Sequence, residues 1–178
     1  MSFAGISSAS AADIGHAQIQ YGHHHTAYQH VKTYVDHKVR MSYSENSASI
    51  NALANSLTRC AGSQYQKGTN IFNWVKNNVH YKFYYNSKYG ANGALKYRAG
   101  NCADQAHLVV ALARAAGLKA HYVHAQAQFR SGNIYGHYWA QINANGKWYT
   151  ADTTSHYNSF GVARNWISAK IEGISNNI

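Results

Sequence analysis

The dipeptide Asn145-Gly146 lies between two stretches, 137–143 and 147–152, whose side chains alternate in polarity. In that setting Asn-Gly specifies a two-residue hairpin, because such a turn needs positive φ at both central positions. Taking the pair as the loop fixes the register: Trp139 faces Asp152 and His137 faces Thr154. A slip of one residue would send every side chain to the other face, so this register is a strong commitment. Residues 119–127 alternate as well, which places an antiparallel sheet in the C-terminal part of the chain.

Before Gly117 the period is helical. Residues 26–40 carry Ala27, Val31, Tyr34, Val35 and Lys38 at helical spacing. A second helix runs from a Ser47 cap through Ile50, Leu53, Ala54, Leu57 and Cys60 to a stop at Gly62. On that helix Cys60 reads as a small buried hydrophobe. Thr69 reads as the cap of a third helix, with Ile71, Trp74, Val75 and Val79 as its buried stripe. Residues 80–85 read as extended and Asn86 to Gly93 as loop. After the Gly100-Asn101 breaker, a helix over about 102–116 presents Ala106, Val109, Val110 and Ala113 on its apolar face. Helices followed by an antiparallel sheet make an α+β domain. Residues 1–25 are expected to be a flexible segment and 26–178 a single domain. Ala9-Ser10-Ala11 looks like the tail of a secretory signal; a plain Ser/Ala-rich terminus explains it equally.

The chain of 178 residues is 46% hydrophobic, enough for a globular core, and no stretch is long and apolar enough to span a bilayer. Lys and Arg outnumber Asp and Glu 16 to 6, for a net charge of +10. That field favours an anionic partner. The basic residues are scattered rather than clustered, which argues against nucleic acid and for an anionic polymer. His23-His24-His25 lacks a spaced carboxylate or Cys to complete a metal site, and two cysteines without a Cys-x-x-Cys pair suggest neither zinc nor a disulfide scaffold.

Cys102 opens a helix, where unsatisfied N–H groups and the macrodipole favour a thiolate and could hold an oxyanion. Alone, it is equally an ordinary buried cysteine. The hairpin supplies what it lacks. His137 and Asp152 fall on one face as diagonal neighbours, with backbones roughly 7–8 Å apart. An imidazole near neutrality can take the thiol proton, and a carboxylate can fix its tautomer. His121, His124 and His156 have no carboxylate so placed. The other hairpin face, Tyr138, Ala140, Ile142, Tyr149 and Ala151, reads as core. Trp139 and Trp148 on the His137 face are candidates for an aromatic wall of the substrate cleft, or for cross-strand packing. Tyr81 and Tyr97 are candidate hydroxyl donors to an oxyanion, or core residues.

The stretch GNCADQAHLVVALARAAGLKAHYVHA resembles the nucleophile helix and following strand of the transglutaminase-like superfamily. GHYWAQI is similar to that family's Gly-His-x-Trp strand, and GKWYTADTT to its Trp-x-x-x-Asp strand. The upstream IFNWVKNNVHYKFY resembles the helix and extended segment before the cysteine, so the likeness covers about residues 69–155. It implies a papain-like α+β domain in which Cys102, His137 and Asp152 are the catalytic triad. Within the superfamily, the Tyr- and Asn-rich style is most similar to the catalytic domains of pseudomurein endoisopeptidases. That implies hydrolysis of Ala–Lys isopeptide links in methanogen cell walls, an extracellular or wall-associated setting, a secreted host enzyme or a virus lysin, and a monomer. No cofactor is implied for the chemistry, though a divalent cation such as calcium is compatible with the family. The wall-binding repeats usual in those enzymes are absent from this chain. Two further readings remain open from the residues: transamidation with an amine as acyl acceptor, and a wall-binding module that kept the fold.

Overall fold

The computed structural model describes residues 47–176. The expected segments 1–25 and 26–40, and the His23–His25 run, lie outside the described residues. Among the described residues, four helices, α1 (Ala48–Thr58), α2 (Gln64–Asn78), α3 (Gly90–Tyr97) and α4 (Cys102–Ala115), precede the main sheet. Between them, β1 (His80–Tyr81) pairs in parallel with β2 (Ala99–Gly100). The main sheet holds β3 (Ala120–Phe129), β4 (Ile134–Ala144), β5 (Lys147–Ala151) and β6 (Trp166–Ser175) in the antiparallel order β5-β4-β3-β6. The expected α+β arrangement is therefore what forms.

Helices α1, α2 and α4 each start at a residue whose side chain accepts from a free N–H group, while the N-cap of α3 makes no such bond. Ser47 accepts from the Ile50 N–H at 3.2 Å, as expected. At α2 the expected cap is wrong. Ser63, six residues earlier than Thr69, accepts from the Gln66 N–H at 3.1 Å. Thr69 sits inside the helix, its hydroxyl donating to the Tyr65 carbonyl four residues back, a bond that lets threonine live in a helix interior. Cys60 also departs from expectation: α1 ends at Thr58, and Cys60 lies exposed in the turn beyond. Helix α3 occupies the end of the segment read as loop, with Gly90 entering at positive φ.

The central element is α4, in which every residue from Ala103 to Ala113 is buried. It was expected to bury one face; instead, helices pack on one side and the sheet on the other. Its polar residues are bonded inward: Gln105 accepts from the Thr153 hydroxyl at 2.8 Å, and His107 Nδ1 meets the Tyr122 hydroxyl at 3.2 Å. Gly117, at φ +79°, ends the helix in a Schellman turn, with the Leu118 N–H bonded to the Ala113 carbonyl at 2.9 Å. A large core joins Ile50, Ile71, Phe72, Leu108, Leu112, Tyr122 and Ile142 between helices and sheet, while Val123, Ala125, Trp139 and Ile174 form a smaller cluster on the sheet's far face.

The hairpin forms in the expected register, Ala140 opposite Ala151 and Gln141 opposite Thr150. Asn145 and Gly146 take φ of 54° and 84°, the doubly left-handed turn that their types allow. Tyr138, Ala140, Ile142, Tyr149 and Ala151 do face the large core. Because Leu108 is fully buried at the middle of α4, Leu108→Ala should lower unfolding free energy by about 2–5 kcal/mol. Urea titration followed by far-ultraviolet circular dichroism checks this; a loss well under 1 kcal/mol would show that α4 is not the packing centre.

Candidate active site

Three features place Cys102 at the first turn of α4. Asn101 caps the helix, its Oδ1 accepting from the Asp104 N–H at 3.0 Å. Its Nδ2 meanwhile donates to the carbonyls of Tyr84 and Asn86, tying the cap to the preceding loop. Gly100 is required by close approach: a Cβ there would fall 2.7 Å from Asp104 Cβ. The Gly-Asn-Cys run thus has a packing reason for its glycine and a capping reason for its asparagine.

Asp104 shares the first turn with Cys102 but faces the other way. Its carboxylate accepts from the Tyr84 and Ser87 hydroxyls and from the N–H groups of Lys88, Tyr89 and Gly90. Burial, and the hydrogen bond to Asp104, push the Tyr84 phenol well above its usual range, so it stays a donor. Asp104 is a clamp on loop 84–90. With Asp104 so engaged and His107 turned to Tyr122, the helix does not supply partners for its own cysteine.

The sheet does. His137 on β4 and Asp152 just beyond β5 are brought together as the hairpin register required: His137 Nε2 donates to Asp152 Oδ2 at 2.9 Å, both groups almost wholly buried. The Cys102 thiol lines the same cleft as the ring and lies close enough to raise the His137 pKa further. Asp152 accepts three further bonds: from the Trp166 indole N–H at 2.9 Å, and from the Thr154 N–H at 3.1 Å and hydroxyl at 2.6 Å. Burial alone would lower the His137 pKa, but the Asp152 carboxylate and its hydrogen bond outweigh it and hold the imidazolium up to about 10. Burial would raise Asp152; His137, Thr154 and Trp166 together hold it below the usual carboxylate value.

Cys102 and His137 line a cleft of about 550 Å³. Its walls come from the loop after β1, with Phe83, Tyr84 and Tyr85, and from the β3–β4 hairpin, with Phe129 and Tyr135. Trp139 and Trp148 do not line it, a correction to the expected aromatic wall. Trp139 is packed behind the site, between His137 and Trp166, with ring centroids 5.6 and 5.4 Å away. Trp148 stacks on His121 at 3.9 Å. Cross-strand packing explains both, and their face of the hairpin is largely buried rather than open. Of the two candidate hydroxyl donors, Tyr81 lines the cleft beside Cys102, and Tyr97 packs on Tyr89 instead. Burial, then the charges of Cys102 and Asp152, lift the Tyr81 phenol to about 12. Tyr81 is therefore a proton donor throughout the neutral range.

Sequence reasoning missed Trp166, Thr154 and the Asp104 clamp. The only available signal for Asp104 was a carboxylate two residues past a helix start. Trp166 carried none, since it reaches Asp152 from a strand at the far edge of the sheet. The rival histidines have other partners: His121 Nε2 bonds Gln141 Oε1 at 2.7 Å, and His124 Nδ1 pairs with Glu172 at 3.2 Å. The described residues hold no cluster of metal-ligating side chains. No three His, Cys, Asp or Glu converge among them. Their three carboxylates, Asp104, Asp152 and Glu172, are already turned to N–H or O–H donors. No helix among the described residues is long and apolar enough to cross a membrane.

The transglutaminase-like superfamily core matches residues 51–153, more than half of the chain and inclusive of all three site residues. A predicted cysteine protease from Cytophaga hutchinsonii is 27% identical, with a TM-score of 0.52, over 68% of this chain and 42% of that one. A predicted protease from Parabacteroides distasonis is 17% identical, with a TM-score of 0.49, over 58% of this chain and 22% of that one. A TGase is 18% identical, with a TM-score of 0.45, over 62% of this chain and 31% of that one. The chain thus spans less than half the length of each. No curated protein matches it.

The buried pair has a pH signature. The raised His137 pKa stabilises the fold fully below its ordinary value of 6.5, and that contribution is lost as pH rises toward about 10. The depressed Asp152 pKa stabilises above its ordinary 3.8 and is lost as pH falls. Asp152→Asn should therefore cost most between those two ordinary values, about 3–5 kcal/mol, with the deficit narrowing toward pH ~10. Urea denaturation of both proteins across that range tests it; a deficit independent of pH would contradict the ion pair.

Proposed function

Because the chain belongs to the transglutaminase-like superfamily, we propose that it is a cysteine acyl-transfer enzyme that hydrolyses amide bonds, with Cys102, His137 and Asp152 as its triad. The observation that carries this is the junction of two independent elements. The N-terminus of α4 presents Cys102, and the β4–β5 hairpin presents a buried His–Asp pair whose histidine lines the same cleft as the thiol and is electrostatically coupled to it.

The chemistry follows from these positions. His137 takes the Cys102 thiol proton as Sγ bonds to the scissile carbonyl carbon, and the carbonyl oxygen takes the negative charge. N–H groups at the start of α4 face that oxygen, and Tyr81 donates its phenolic hydrogen to it. The C–N bond then breaks as His137 gives its proton to the leaving nitrogen, leaving a thioester on Cys102. Water enters, and its oxygen bonds to the thioester carbon as His137 takes its proton; the C–S bond then breaks and His137 returns the proton to Sγ, releasing a carboxylic acid and restoring the thiol. Asp152 holds the ring in place and balances the imidazolium through the cycle. The imidazolium that Asp152 sustains is the acid the first half-reaction needs.

For the substrate we propose the Ala–Lys isopeptide link of pseudomurein cross-bridges, in an extracellular or wall-associated setting. Supporting this are the sequence likeness to pseudomurein endoisopeptidases and a net charge of +10 suited to an anionic wall polymer. The test is release of new peptide termini from purified pseudomurein walls. Cys102→Ala and His137→Ala should abolish release while circular dichroism stays native. Full release by Cys102→Ala would sink the acyl-transfer reading, and turnover of other amides but not of wall peptides would sink only the substrate.

Two predictions follow from the roles. Tyr81→Phe should lower kcat by about tenfold or more, while iodoacetamide still alkylates Cys102; unchanged kcat would remove Tyr81 from the oxyanion site. Deprotonation of His137 removes the proton owed to the leaving amine, so amide turnover should fall as pH approaches about 10. A pH–rate profile that keeps rising past that value would contradict the assignment.

A further inference from the structure

The cleft changes character along its length. Among the described residues that line it, none is Lys, Arg, Asp or Glu. A run of rings leads outward from the histidine: Phe129 packs edge-on against His137 at 5.2 Å, Tyr135 against Phe129 at 6.0 Å, and Phe83 against Tyr135 at 6.3 Å. Apart from the catalytic His137, charged groups therefore find no partner beside the scissile bond, which suits a neutral substrate there.

Just past Phe129 the chemistry reverses. Arg130 follows Phe129, and Arg164 precedes Asn165, another lining residue; both arginines are exposed. The two segments are stitched together. The Arg130 N–H donates to the Asn165 carbonyl at 3.2 Å, and Arg130 Nε donates to the Arg164 carbonyl at 2.6 Å. Arg164 Nη1 donates to the Tyr157 carbonyl at 3.2 Å and the Ser159 hydroxyl at 2.8 Å. Both guanidinium groups are thus held in place by neutral oxygens. The ion pairs among the described residues are His124–Glu172 and His137–Asp152, so neither arginine is neutralised by a carboxylate there. Each keeps N–H groups for an outside acceptor, in the planar fork that suits a carboxylate.

We propose that Arg130 and Arg164 bind a carboxylate on the amine component of the substrate, the part that leaves when the acyl-enzyme forms. The side follows from the chemistry, and the inference rests on the acyl-transfer reading. His137 protonates the leaving nitrogen, Phe129 packs on His137, and Arg130 continues from Phe129. The amine component runs along that wall, neutral next to the nitrogen and anionic farther out. The two arginines are specificity residues, and the neutral rings between them and His137 set the spacing.

The experiment uses two synthetic isopeptides with one acyl group, whose amine components differ only in bearing a carboxylate or a carboxamide. The wild-type protein should cleave the carboxylate form with a kcat/KM about tenfold higher, expressed in KM, and the ratio should shrink as salt screens the exposed charges. In the Arg130→Gln, Arg164→Gln protein the ratio should fall to near one. Equal kcat/KM in the wild type overturns the proposal, as does a ratio that persists in the double variant. Should that variant not fold, a wild-type ratio indifferent to salt overturns it as well. Turnover of both substrates at equal rates defeats this proposal alone; turnover of neither defeats the acyl-transfer reading and this proposal together.

Discussion

A helix buried on all sides can offer a reactive group to solvent only at its ends. Helix α4 is such a helix, with every residue from Ala103 to Ala113 inside the protein. Its N-terminus is therefore fixed by the whole core, and Cys102 inherits that fixity. The sheet packs on the same helix through Tyr122, Ala140 and Ile142. The register that puts Ile142 into the core also puts His137 on the opposite face of β4, toward Asp152. Position of the thiol and position of the imidazole are thus two outcomes of one packing constraint.

The electrostatics depend on that burial. An imidazolium taken out of water is costly, and it persists at His137 because Asp152 is taken out of water beside it. Asp152 in turn has its remaining lone pairs occupied by Trp166 and Thr154. Trp166 comes from the far edge strand and packs on Trp139 behind the histidine. The ring is therefore held from behind and below, on the cleft that Cys102 also lines. Asp104 does the matching work for the cleft wall, gathering the loop that carries Phe83, Tyr84 and Tyr85 around the start of α4.

What could be read in the sequence was what depends on period and turn chemistry. Asn145-Gly146 set the hairpin register, and the register put His137 with Asp152. Gly100-Asn101 and Gly117 bracketed α4 because each has a local reason to be there: close packing on Asp104, a cap, and a left-handed turn. What failed was either the exact end of a helix or something that depends on contacts far apart in the chain. Thr69 has the composition of a cap, yet Ser63 starts the helix, since the exposed first turn of α2 carries no apolar signal. Cys60 fits an apolar stripe that the helix ends too early to complete. Trp139 and Trp148 looked available for ligand because a hairpin face says nothing of what covers it. Trp166 and Asp104 act across 14 residues or more, beyond the reach of any local pattern.

The central claim is that acyl groups pass through a thioester on Cys102. Rapid-quench intact-mass measurement with an amide donor, followed by peptide mapping, tests it most directly. The account predicts a transient mass gain equal to the acyl group, located on Cys102 and discharged by hydroxylamine. Turnover with no adduct on Cys102, or acylation of the exposed Cys60 in its place, would contradict it.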